Sequence, residues 1–221
     1  MKTINFLFVV HFHQPYGQLQ SVLDRVYQRC YLKWINMIKE YSEFKFAIHI
    51  SGPLLYYLSL NYPAFIQHLL GLLNNGNLEI IGGAYSEAIL PLLPREDRIE
   101  QVKRYWRIAR RILGVEPHGF WLPERVWEPS LAEDLSCCGV DYVLLDDEHL
   151  KRAGISNSRL FYAYYTEEGG HKIIVLPINS TLRYLIPWKS PHDVITYLRN
   201  IASEDYEKMV LFITDAEKFG E

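Results

Sequence analysis

Acidic and imidazole side chains recur at the ends of short apolar runs in this chain. The first run leads into "HFHQP" (11–15), where His11 and His13 are two apart and share one face of an extended segment. A second run ends at His49 and Ser51. A third, "EIIGGAYSE", carries Glu79 inside it and Glu87 beyond it, and a fourth ends at Trp121 and Glu124 within "FWLPERVWEP". Asp146 and Asp147 follow the fifth run, Asn179 the sixth, and "TDAEKFG" brings Asp215 and Glu217 after the seventh. Carboxylates serve as nucleophiles, as general acids or bases, or, beside imidazoles, as metal ligands. Cleavage of a glycosidic bond with retention needs two carboxyl groups about 5–5.5 Å apart, one to attack the anomeric carbon and one to protonate the leaving oxygen. Glu124 and Asp215, at the ends of the fourth and seventh runs, are candidates for that pair.

Each of these residues has an ordinary alternative. A lone histidine at a strand end is usually structural, and His49 is read that way, whereas the His11–His13 pair favours function. Glu79 sits in an apolar run, where an unpaired carboxylate is costly, so it requires a partner or a ligand. Asp146 and Asp147 serve equally well as helix caps. Cys137 and Cys138, on an expected helix, read as core. The arginines at 104, 107, 110 and 111 form the solvated flank of a helix.

Position comes from the elements around these residues. Seven near-continuous apolar runs, Ile4–Val10, Phe46–Ile50, Leu78–Ile81, His118–Leu122, Tyr142–Leu145, Ile173–Ile178 and Met209–Ile213, have the pattern of strands buried on both faces. Helices are expected at 21–41, 53–74, 95–113, 129–138 and 191–203. The third of these has acids early, bases late and Gly114 as a stop. Strands alternating with helices imply parallel pairing through right-handed crossovers, and the sheet closed on itself is a barrel. In such barrels the chemistry collects at the C-terminal ends of the strands. Residues 151–172 are the least regular and are expected to hold an excursion or short hairpin. The expectation is one α/β domain over 1–221.

Composition narrows the function. A net charge of −3 gives no reason to expect nucleic acid or an anionic membrane as a partner. No apolar segment is long enough to cross a bilayer. The opening "MKTINFLFVV" breaks at His11 without a cleavage site and reads as a strand rather than a leader. Three cysteines, two of them adjacent, neither form a disulfide set nor show zinc-finger spacing, which points to a reducing, cytoplasmic setting. The 14% aromatic content suits sugar stacking as well as core packing.

Four segments, "HFHQP" (11–15), "GNLEIIGGAYSEAIL" (76–90), "WLPERVWEP" (121–129) and "FITDAEKFG" (212–220), resemble in order and spacing the first four sequence regions of glycoside hydrolase family 57, nearest to its 4-α-glucanotransferase and α-amylase members. The resemblance implies an incomplete (β/α)7 barrel and a retaining double displacement on α-1,4-glucans such as starch, glycogen and maltooligosaccharides, without a metal or other cofactor. By motif position it makes Glu124 the nucleophile and Asp215 the general acid/base, with His11, His13, Glu79, Trp121 and Glu217 lining the substrate subsites. Glu124 is then expected to be held ionised by Arg125 or nearby histidines. Asp215 is expected to be protonated through burial and neighbouring carboxylates such as Glu217. Trp121 is expected to offer a stacking face.

Members of that family continue beyond the position of Glu221 with a further helix, a fifth region and a helical C-terminal part, so this chain is expected to be a fragment that lacks its C-terminal completion. Two other readings remain open. One is a metal-dependent polysaccharide deacetylase-like barrel hydrolase using His11, His13 and Asp146 or Asp147 as ligands. The other is an inactive carbohydrate-binding relative, which would not need both Glu124 and Asp215.

Overall fold

The computed structural model describes residues 1–220. It contains the strands β1 (Asn5–Phe12), β2 (Phe46–Ile50), β3 (Leu78–Gly83), β4 (Gly119–Trp121), β5 (Tyr142–Asp146), β6 (Tyr164–Glu168), β7 (His171–Ile178) and β8 (Met209–Asp215). All pair in parallel except β6, which lies in the irregular stretch 151–172 and forms an antiparallel hairpin with β7. The order is β5-β4-β3-β2-β1-β8-β7, and a parallel β5–β7 ladder closes the ring. The result is a closed seven-strand parallel barrel surrounded by helices, as the alternation of runs implied. Its thinnest seam lies between β7 and β8, joined through Ile178 opposite Leu211 and an Asn179 N–H donated to the Leu211 carbonyl at 2.8 Å.

Alternation along the strands sets which side chains enter the barrel. Val9, Ile81, Trp121, Leu144, Ile178, Leu211 and Ile213 form one interior cluster. Their neighbours Val10, Phe12, Ile48 and Ile50 pack outward against helices. Each buried side chain of this kind contributes about 1.5–3 kcal/mol, and a one-residue slip would reverse the whole set. The inward phase is therefore strongly determined. It continues to His11, two residues after Val9, and to Asp215, two residues after Ile213.

Three departures from the expected helices bear on the site. The first helix is interrupted: Gln20–Val26 and Leu32–Glu40 flank a π turn at Tyr27–Tyr31. That turn presents Tyr31 to the chain following β8. The expected 53–74 helix is two, Gly52–Asn61 and Pro63–Asn74, because Pro63 has no N–H to continue the first. Additional short helices follow β5 (Asp147–Arg152) and β7 (Ser180–Leu185). The helix Arg95–Leu113 ends as expected at Gly114, whose φ of 70° gives the left-handed cap. Cys137, expected in the core, is exposed beside His171. Among the described residues no helix is long and apolar enough to cross a membrane.

Candidate active site

The C-terminal strand ends surround a cavity of about 480 Å³ lined by His11, His13, Glu87, Trp121, Glu124, Arg125, Arg183, Thr214, Asp215, Glu217 and Lys218. Register accounts for part of this assembly. His11 is opposite Asp215 on β8 and opposite His49 on β2. Glu124 arrives differently, on the one-turn 3-10 helix Pro123–Arg125 directly after β4. Among the described residues, the non-glycine positions with left-handed backbone are Glu87 (φ 58°), Glu124 (φ 54°) and Arg125 (φ 57°). All three line this cavity. Such conformations cost about 1–3 kcal/mol each and persist only where the surroundings impose them. Their concentration here marks the site independently of any motif.

The histidines form a stacked column. His11 lies 4.8 Å from His49 and 5.5 Å from His13, ring centre to ring centre, with Trp121 tilted against it at 5.0 Å. His11 Nδ1 and His49 Nδ1 share a hydrogen bond of 2.7 Å. Below them, Tyr105 of the Arg95–Leu113 helix stacks on His49 at 5.7 Å and donates its hydroxyl to the Ile50 carbonyl at 2.8 Å. Burial lowers the pKa of His11 to about 3, helped by His13 and opposed by Asp215. His49 is lowered as well, by burial and then by His11 and His13. His13 is lowered by burial, while Asp215 and then Glu124 pull it back. Both candidate carboxylates therefore act on one imidazole. The column is neutral near pH 7.

Glu87 faces this column. Its carboxylate oxygens lie 3.8 Å from His11 Nε2 and 3.5 Å from His49 Nε2. Burial pushes its pKa up to about 8, the Trp121 indole N–H opposes the rise, and Glu124 adds to it. Glu217 is raised by burial, an effect opposed first by its hydrogen bond from Tyr31. Its Oε1 also accepts from the His13 backbone N–H and from Gln14 Nε2, each at 3.4 Å. That carboxylate ties the loops after β1 and β8 together.

The structure thus brings His11, His13, Trp121, Glu124, Asp215 and Glu217 to one cavity. Glu79 is placed elsewhere. It is the second residue of β3, so the inward phase delivers it to the N-terminal end of the barrel, where it accepts from Tyr142 Oη and lines a different cavity. Glu87 is the third-strand carboxylate at the mouth.

Other expectations are also corrected. Trp121 is 5% exposed and packs inside the barrel, so it does not offer an open stacking face. Asp215 is half exposed and paired with Lys218 at 3.0 Å, not buried beside Glu217. Arg125 is claimed by Asp146 at 2.9 Å, and Arg183 holds the other oxygen of Asp146 at 3.3 Å. Asp147 turns to Ser180, accepting from its N–H and hydroxyl at 3.2 and 3.0 Å. Neither aspartate joins His11 and His13 as a ligand set. Sequence reasoning places Glu87 beyond the third run but assigns it no role, and it does not single out Arg183, Thr214 or Lys218. Of the last three, Thr214 and Lys218 flank Asp215 within one segment, whereas Arg183 carries no local signal.

The packing around His49 yields a stability prediction. A Cβ added at Gly83 would lie 2.4 Å from His49 Nε2, and His49 is pinned by Tyr105 and His11. Gly83→Ala is expected to cost about 1–3 kcal/mol, which at this size lowers the melting temperature by roughly 2–4 °C per kcal/mol. Gly71→Ala, in a helix with open space around it, is expected to be neutral or stabilising by up to about 1 kcal/mol. Thermal melts of both variants check this.

Comparison with known proteins agrees with the geometry. The model of a family described as glycosyl hydrolase family 57 matches residues 7–221. An alpha-amylase of Pyrococcus horikoshii is 44% identical over 220 residues, covering 100% of this chain and 35% of the relative. A 4-alpha-glucanotransferase of Thermococcus kodakarensis is 42% identical over 220 residues, covering 100% of this chain and 34% of the relative. The crystal structure of 4-alpha-glucanotransferase from Thermococcus litoralis superposes with a TM-score of 0.96 at 41% identity, over 100% of this chain and 34% of that one. The chain spans about a third of the length of the curated relatives it matches.

Proposed function

This chain belongs to glycosyl hydrolase family 57, and from that premise we propose that residues 1–221 are a single catalytic barrel unit of a retaining enzyme acting on α-1,4-glucans. The observation that carries the reading is the common cavity of Glu124 and Asp215, with the neutral His11–His13 pair beside them. Glu124, exposed on its left-handed turn, attacks the anomeric carbon and forms a β-linked glycosyl-enzyme. Asp215 gives its proton to the glycosidic oxygen as the bond breaks, then takes one from the incoming hydroxyl. That hydroxyl belongs to water in hydrolysis or to a second glucan in transfer. His11 and His13 hydrogen-bond sugar hydroxyls without adding charge, and Glu217 holds the loop that carries His13 against the chain following β8.

The likeness of this chain to an alpha-amylase and to 4-alpha-glucanotransferases supports both the substrate class and the pair of outcomes. The reading includes a cytoplasmic location. The test is proton NMR of the complete protein acting on maltohexaose. New reducing ends are expected to form first as the α anomer, and longer oligosaccharides accumulate if transfer competes with hydrolysis. Products formed first as the β anomer would overturn retention.

A further inference from the structure

At and just beneath the floor of the cavity lie polar atoms that no hydrogen bond within the fold pairs. Among the described residues, His13 Nδ1, His49 Nε2 and Glu87 Oε1 are buried without a hydrogen-bond partner. The histidine hydrogen bond decides what they are ready to hold. That bond can run either way, and a bound cation selects the direction in which His11 Nδ1–H donates to His49 Nδ1 across 2.7 Å and His11 Nε2 keeps a lone pair. His49 then carries its proton on Nε2, 3.5 Å from Glu87 Oε1, while the His11 lone pair faces Glu87 Oε2 at 3.8 Å. One fully buried residue, His49, thereby orients an imidazole and a carboxylate at once. This is the support that metal-binding histidines and carboxylates require. A ligand atom from each of His11, His13 and Glu87 lies within 4.8 Å of the others.

From this geometry we propose that His11, His13 and Glu87 form a binding site for a divalent transition-metal ion of the zinc class. Two imidazoles and one carboxylate are a borderline N/O set, suited to Zn²⁺ or Co²⁺ rather than to Ca²⁺ or Mg²⁺, which require more oxygen ligands. A tetrahedral ion with bonds of about 2.1 Å holds its ligand atoms about 3.4 Å apart. The His11–Glu87 separation of 3.8 Å must therefore close by a few tenths of an ångström, and the widest in the set, within 4.8 Å, by up to about 1.4 Å. Three protein ligands leave the fourth position open to the cavity, where Glu124 and Asp215 add negative field. The site is argued from these three side chains and stands or falls separately from the glucan reading. If that reading is correct, the ion and a sugar compete for His11 and His13.

The test is calorimetric titration of the untagged, chelator-treated chain with Zn²⁺, repeated with Co²⁺ while the visible absorption is recorded. One ion per chain is expected to bind with a Kd of about 10 μM or tighter, and Co²⁺ is expected to give the spectrum of a low-coordinate nitrogen/oxygen site. Glu87→Gln, nearly isosteric, and His13→Ala, at a half-buried position, are each expected to weaken binding at least 10-fold. Cys137→Ser controls for the exposed Cys137–His171 pair, whose sulfur lies 3.9 Å from both ring nitrogens, and is expected to leave binding unchanged. Overturning results are no stoichiometric binding below 100 μM, or binding that survives both Glu87→Gln and His13→Ala, or binding that disappears in Cys137→Ser.

Discussion

Glu124→Gln is expected to lower kcat/KM on maltooligosaccharides by 10⁴-fold or more in the complete protein, with affinity for the same sugars changed by less than about threefold. A 10⁴-fold loss corresponds to about 5.5 kcal/mol of transition-state stabilisation. The amide has nearly the shape of the carboxylate but cannot attack the anomeric carbon. The side chain is exposed and, among the described residues, has no hydrogen bond or ion pair that holds the fold, so the substitution removes chemistry and little structure. Parallel kinetics and calorimetric sugar binding check this. Turnover within tenfold of the parent would remove Glu124 from the nucleophile's position.

The second large effect is expected at Asp215. Asp215→Ala should lower kcat/KM on unactivated glucans by about 10²–10⁴-fold, the usual contribution of a positioned general acid. On α-glucosyl fluoride, whose leaving group needs no proton, the first step should slow far less. The glycosyl-enzyme then waits for a deprotonated acceptor, and azide should accelerate its breakdown and give α-glucosyl azide, two inversions making a retention. Glu124→Ala with azide has only one displacement and should give the β anomer. The two variants thus assign opposite roles by product configuration. Lys218 keeps its bond to Thr214 Oγ1 at 3.0 Å when Asp215 is truncated, so the loop after β8 retains an anchor. Equal losses on both substrates in Asp215→Ala, with no azide product, would count against the acid/base role.

Much of the barrel was legible because strands buried on both faces leave a strong apolar pattern. Phe46–Ile50 matched residue for residue. β1 and β8 run two residues beyond their apolar runs, since His11 and Asp215 look like interruptions until the barrel interior is known to hold polar groups at its mouth. Pro63 divides the expected 53–74 helix, a local stop that the apolar periodicity running through it conceals. The exchange of Glu79 for Glu87 is more instructive. Both are glutamates near β3, but the second residue of a parallel strand lies at the end opposite the mouth. Glu87 reaches the mouth only through a left-handed turn that no periodicity announces. Glu124 stood out among its aromatic and proline neighbours. Its relation to Arg125 did not follow from adjacency, because Asp146, far away in sequence, takes that guanidinium. The double use of His49 is likewise a product of register between β1 and β2 and stacking from Tyr105.

The claim that a carboxylate at position 124 carries the sugar is tested most directly by trapping it there. A fluorinated α-glucosyl fluoride that forms its glycosyl-enzyme faster than it releases it should be incubated with the complete protein, digested and followed by mass spectrometry. One sugar per chain is the predicted outcome, attached to the peptide spanning "WLPERVWEP" and localised by fragmentation to Glu124. Label on Asp215 or on another carboxylate, or no label in protein that is turning over maltooligosaccharides, would contradict the account.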